Sequence, residues 1–155
     1  MTVELPGPER LAIEWQCERL VRRFALLSDA GDADGLAALF TEDGVFARPT
    51  RPDQPVRGRE AIRAAFAARP RDRLTRHFCA NTVIDVLGPD RARGHSYVAL
   101  YTGSAGTGAQ GAAAPAADPV QLVGEYRDTF ALVDGQWHIA ERIGSVTFSF
   151  KGASS

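Results

Sequence analysis

Lysine is almost missing from this chain. Lys151 is the only one, so arginine carries nearly all of the positive charge, which we read as coding bias rather than chemistry. Basic and acidic residues are close to balanced, 18 against 19, and the formal net charge is -1. That leaves no excess charge to hold nucleic acid or an anionic membrane, and neither partner is expected. Cysteine is equally scarce. Cys17 and Cys79 form no CxxC and no disulfide framework, which fits reduced thiols in a cytoplasmic protein. No apolar run approaches the ~18 residues of a membrane helix. The N-terminal MTVELPGPER lacks the basic and apolar regions of a signal peptide. GxSxG, P-loop and GxGxxG motifs are absent, which leaves serine hydrolase and nucleotide-binding readings without support.

What remains is a chain of 155 residues with 45% hydrophobic content, enough for one domain with a substantial core. The pattern predicts a tail at 1–8, one domain at 9–150 and a second tail at 151–155. Ile13, Cys17, Leu20, Val21, Phe24, Leu27 and Ser28 recur at helical spacing and predict a helix over 9–29. Gly31 is placed to cap its end, and Asp32 to cap a short helix over 33–40. A short strand over 45–48 and a proline-rich loop over 49–56 follow. A third helix over 59–68 should bury Ile62, Ala65 and Phe66, and Pro70 stops it. From there the chain reads as β: strands over 74–87, 91–102, 120–133 and 136–150, the last two joined by the hairpin signal Asp134-Gly135. The Gly/Ala-rich segment 103–118 lacks periodicity and reads as a hairpin tip, with a lid as the alternative. Helices followed by strands predict an α+β fold, three N-terminal helices packed on a strongly curved, mostly antiparallel sheet.

The most informative stretch is LTRHFCANTVIDV, residues 74–86. Strict alternation puts His77, Cys79, Asn81, Val83 and Asp85 on one face, and Phe78, Ala80, Thr82, Ile84 and Val86 on the other. A polar row inside a core-like strand must find partners or line a cavity, and the cavity is the working hypothesis. The apolar back face then needs a cover, for which a second subunit is expected. His95 and His138 show no ligand spacing with His77 and Cys79, so no metal and no cofactor is expected. Tyr126 can supply a hydroxyl to the cavity, while Trp137 is assigned to the core.

Four segments, LLSDAGDADGLAALFTEDGVF (26–46), VRGREAIRAAF (56–66), TRHFCANTVIDV (75–86) and YRDTFALVDGQWHIAERI (126–143), stand in an order and spacing that resemble the SnoaL-like family of the nuclear transport factor 2-like superfamily. The resemblance implies a cone-shaped α+β barrel with a pocket between sheet and helices, often homodimeric. In the scytalone dehydratase, hexachlorocyclohexane dehydrochlorinase and bile-acid dehydratase branch, an aspartate at the end of the first helix pairs with a histidine early in the sheet. Asp29 and His77 fall at those positions, and the HxxxN of His77 and Asn81 resembles the dehydrochlorinase. Other positions depart: Thr102 replaces a second histidine, Leu100 replaces an aspartate, and Phe24 stands where two of these enzymes have tyrosine or lysine. The resemblance therefore implies a cofactor-independent lyase, isomerase or cyclase acting on a small, largely apolar oxygenated substrate. Asp29 and His77 would be catalytic, and Phe24, Asn81 and Tyr126 would bind substrate. The alternative is a non-catalytic module of the same fold that binds a hydrophobic ligand or associates. On an ideal helix Asp29 lies about 140° from Phe24, at the edge of the buried arc.

Overall fold

The computed structural model describes residues 5–105 and 114–152. Helix α1 spans Gly7–Ala30, two residues earlier than expected, because Pro8 is tolerated in a first helical turn. Gly31, in the left-handed region at φ 71°, closes it, and the Asp32 amide donates back to the Leu27 carbonyl at 3.0 Å. The Asp32 side chain then caps α2 (Ala33–Ala37) by accepting from the Gly35 amide at 2.8 Å. Helix α2 stops short of Phe40, where strand β1 (Phe40–Ala47) begins. Phe40 pairs with Ile139, and the Ile139 amide bonds the Leu39 carbonyl, so sheet pairing takes residues that local propensity assigns to helix. A two-residue strand, β2 (Val56–Arg57), lies at the end of the expected loop and pairs with β1. Helix α3 (Arg59–Ala67) is followed by the long strands β3 (Arg73–Val86), β4 (Arg91–Ser104), β5 (Val120–Val133) and β6 (Gln136–Lys151).

These strands form one sheet in the order β2-β1-β6-β5-β4-β3, antiparallel throughout except between β1 and β6. Its edges, β2 and β3, are not paired to each other, so the curved sheet cups the helices without closing into a barrel. The fold is α+β. Ile13, Cys17, Val21 and Phe24 of α1 pack into a core completed by Leu36, Phe40, Phe46, Ile62, Phe66 and, from the sheet, Val98, Phe130, Trp137 and Ile139. Phe24 is its hub, with the rings of Phe40, Phe46, Phe66 and Tyr126 centred 5.5 to 6.1 Å away. No helix among the described residues is long and apolar enough to cross a membrane.

Two β-bulges, one in β3 and the first of two in β6, decide which side chains around the site face inward. In β3 the register shifts between Ala80 and Val83, and Asn81 takes φ 52°. Asparagine tolerates the left-handed region better than most residues, and the extra residue reverses the alternation. Thr75, His77 and Cys79 face inward before the bulge, and Thr82, Ile84 and Val86 after it, while Asn81 is exposed. The expected back face is corrected accordingly: Ile84 and Val86 pack on the core, and Val83 joins Phe78 outside. In β6 the shift falls between the pairs Phe130–Ile139 and Thr129–Glu141. It turns Arg142 inward, where uninterrupted alternation from Trp137 and Ile139 would have turned Glu141 inward instead. Of the Gly/Ala-rich segment, Gly103 bridges Ala117. Its tip, 106–113, on which the choice between hairpin tip and lid turns, lies outside the described residues.

Candidate active site

Asp29 ends α1 beside the first half of β3, the edge strand that packs along the helix. Its Oδ1 stands 2.6 Å from His77 Nδ1 and accepts from Thr75 Oγ1 at 2.8 Å, and its Oδ2 accepts from the His77 amide at 3.0 Å. Both side chains are nearly enclosed, His77 at 6% and Asp29 at 10% exposure. The helix-wheel position made Asp29 look peripheral, but β3 covers that side of α1 and supplies all three partners. Thr75 was not singled out from the sequence, although it lies two residues before His77 on the same strand face. Burial pushes the Asp29 carboxyl upward, but hydrogen bonds from the side chain and amide of His77 and from Thr75, together with the His77 charge, outweigh it and hold the group below its ordinary value.

His77 Nε2 makes no hydrogen bond among the described residues, and the histidine lines a cavity of about 470 Å³ between β1, the α3–β3 connection and strands β3 to β6. Phe46, Val98, Leu100, Leu122 and Val146 give that cavity mostly apolar walls. Gly124 also lines it; a Cβ there would stand 2.2 Å from the Ser145 carbonyl oxygen, so only glycine fits this approach of β5 to β6. Leu100 lies directly across from His77 in the β3–β4 register, and Thr102 across from Thr75, so both departures from the family pattern sit beside the histidine. A larger groove, about 650 Å³, runs past the other side of Asp29 and shares Arg69, Pro70, Arg73 and Thr75 with the cavity. It does not reach His77 and carries charges of both signs, so the smaller cavity is the candidate site.

Tyr126 lines the cavity. Burial, only partly opposed by the Arg142 charge, pushes its hydroxyl up to about 12, which keeps it a donor at neutral pH. Two expected binding residues are corrected. Asn81 is carried to the outer face by the β3 bulge, away from the cavity. Phe24 does not line the cavity; it lies beneath Tyr126 and Phe46, which do.

Sequence reasoning missed a buried ion pair below this layer. Arg142 Nη1 donates to Asp128 Oδ2 at 2.6 Å, with neither side chain exposed. The Arg142 guanidinium stacks 3.8 Å from the Tyr126 ring centre and 4.5 Å from that of Phe24. It therefore braces the cavity floor from behind. Burial pushes the Asp128 carboxyl up, and Arg142 only partly pulls it back. Among the described residues, Asp128 Oδ1 and Arg142 Nε have no hydrogen-bond partner. The β6 bulge that brings this pair together leaves no mark on hydrophobic periodicity.

The comparisons with known proteins agree with this architecture. The model of the SnoaL-like domain matches residues 9–143. A variant of Rv3472 from Mycobacterium tuberculosis, a protein of unknown function, is 31% identical over 85% of this chain and 74% of its own, with a TM-score of 0.69. A protein of Novosphingobium aromaticivorans provisionally named a scytalone dehydratase is 24% identical, covering 97% and 94% of the two chains with a TM-score of 0.75. A type 2 hexachlorocyclohexane dehydrochlorinase is 15% identical over 97% and 95%, with a TM-score of 0.78. These last two likenesses show the fold alone. No curated protein sequence matches the chain. With a family model that spans most of its length and a fold shared with these structures, the chain belongs to the SnoaL-like family of the nuclear transport factor 2-like superfamily.

Proposed function

We propose that this protein is a cofactor-independent lyase, isomerase or cyclase that moves a proton on a small, largely apolar oxygenated substrate. The observation that carries this reading is the 2.6 Å contact between Asp29 and His77 Nδ1 at the wall of the cavity. An ionised Asp29 holds the proton on Nδ1 and leaves the Nε2 lone pair free to act as a base. His77 then takes a proton from a carbon next to a carbonyl, and Asp29 stabilises the imidazolium that forms. The Tyr126 hydroxyl donates to the carbonyl oxygen as charge builds there. The imidazolium returns the proton to a departing hydroxyl in dehydration, to another carbon in isomerisation, or to the alkoxide of an aldol addition in cyclisation. The apolar walls exclude water and strengthen each of these interactions. The solved relatives named for a dehydratase and a dehydrochlorinase favour elimination among the three.

We further infer a homodimer. The outer sheet face carries an aromatic row, Phe78, Tyr101 and Phe150, with Tyr97 and Phe148 nearby; Phe78 is 60% and Phe148 56% exposed. Apolar surface so concentrated on one sheet face favours pairing with a second copy. The two free thiols fit a reducing, cytoplasmic setting.

The test is a screen of carbonyl and β-hydroxy-carbonyl compounds for solvent-deuterium incorporation or loss of water. A compound turned over by the wild type should be inert with folded His77→Ala and Asp29→Asn. Full activity in both variants would remove the pair from the mechanism. Tight binding of apolar ligands with no turnover of any compound would favour the binding module.

A further inference from the structure

The His77 cavity is charged in one sense only. Among the described residues that line it are Arg48, Arg69 and Arg73, and no aspartate or glutamate; Asp29 lies behind Thr75 and His77. Arg73 is neutralised by Asp118, 2.7 Å away, which also accepts from Thr102. Arg48 and Arg69 make no ion pair among the described residues. Arg48 Nη2 donates to the Ala65 carbonyl at 3.2 Å, Arg69 Nη1 donates to Ser28 Oγ at 2.9 Å, and the Arg69 guanidinium lies 4.1 Å from the Phe66 ring centre. Each therefore has only a neutral acceptor and keeps most of a guanidinium's five N–H donors unused. Burial, followed by the nearby Arg48 charge, brings Arg69 down to about 10, so Arg69 remains cationic at neutral pH and is repelled by Arg48. The neighbouring groove gathers three aspartates and four arginines, so the one-sided charge is particular to the cavity that contains His77.

We propose that Arg48 and Arg69 form an anion subsite, and that the substrate is a carbonyl compound bearing a carboxylate or similar oxyanion. Two guanidiniums lining one cavity suit a carboxylate, which accepts paired N–H bonds and offsets the repulsion between them. The carboxylate is not the group that acidifies the C–H bond, because removing a proton beside it would place two negative charges on one unit. A separate carbonyl does that work while the oxyanion fixes the molecule's direction in the cavity. The assignment of His77 to that carbon rests on the proton-transfer reading above; anion binding does not.

The test is isothermal titration calorimetry with benzoate and its neutral isostere benzamide, at about pH 8.5, above the ordinary histidine range. The wild type should bind benzoate at least ~10-fold tighter than benzamide, a preference that weakens with added salt. Arg48→Gln and Arg69→Gln should lose most of it, and Arg69→Lys should keep part. Equal binding of the two probes by the wild type, or a preference that survives in a folded Arg48→Gln/Arg69→Gln double variant, overturns the proposal. If benzoate selectivity holds and no compound is turned over, the subsite stands and the proton-transfer reading fails.

Discussion

Replacing Asp29 by asparagine changes one atom's chemistry and almost no volume, and the surrounding bonds dictate how the amide must sit. The His77 backbone N–H can only donate, so the amide oxygen has to occupy the Oδ2 position, where that N–H bond of 3.0 Å is made. The amide NH2 then stands at the Oδ1 position, facing His77 Nδ1 and Thr75 Oγ1. Thr75 can turn from donor to acceptor. His77 Nδ1 must lose its proton to accept, which moves the neutral ring's proton to Nε2 and removes the lone pair from the cavity. The variant also lacks the carboxylate that stabilises imidazolium: charges about 4 Å apart at an effective dielectric of ~20 interact by about 4 kcal/mol. That amounts to about a thousandfold in rate. Every hydrogen bond finds a replacement, so the loss of stability should stay near ~1 kcal/mol. Nitrogen-15 NMR of the imidazole under alkaline conditions should show the proton on Nδ1 in the wild type and on Nε2 in Asp29→Asn. The same tautomer in both proteins would refute the reasoning, whatever the activity.

Asp29 also sets an acid dependence: its folded-state value lies below its unfolded one, so its contribution is present above the ordinary carboxylate value of ~3.9 and is lost as pH falls through the folded value. Urea denaturation of wild type and Asp29→Asn should therefore show a stability gap at neutral pH that narrows as pH falls below the ordinary carboxylate range; a constant gap would contradict the shift. Arg142→Met strands a buried carboxylate and should cost about 3–5 kcal/mol, a fall of about 6–20 °C in Tm at ~2–4 °C per kcal/mol. Adding Asp128→Leu should restore most of that, and a single variant as stable as the double would show the pair to be uncoupled. Light scattering at micromolar concentration should report a dimer that Phe78→Glu/Tyr101→Glu converts to a monomer; a monomeric wild type would dismiss the outer face as an interface.

Sequence periodicity determined what depends on neighbours along the chain. The order of elements follows from apolar spacing, the end of α1 from Gly31, the start of α2 from Asp32, and the β5–β6 hairpin from Asp134 and Gly135, which both take positive φ. His77 and Tyr126 were legible as inward-facing because each lies on an uninterrupted alternating stretch. Strand pairing and helix packing decided the rest. Asp29 looked marginal on a helix wheel because the wheel does not contain β3, the strand that covers it. Asn81 was misplaced because an extra residue in β3 reverses the faces beyond it, and Arg142 was overlooked because one after Ile139 in β6 does the same. Asp128 shares the inward face of Tyr126 and Phe130, but its partner showed only once Arg142 was turned toward it. Periodicity cannot report an insertion that exists only relative to a partner strand. Arg48 and Arg69, 21 positions apart (69 minus 48), share no motif. Only the fold brings their charges to one cavity, because electrostatic neighbourhood depends on distance in space and not along the chain.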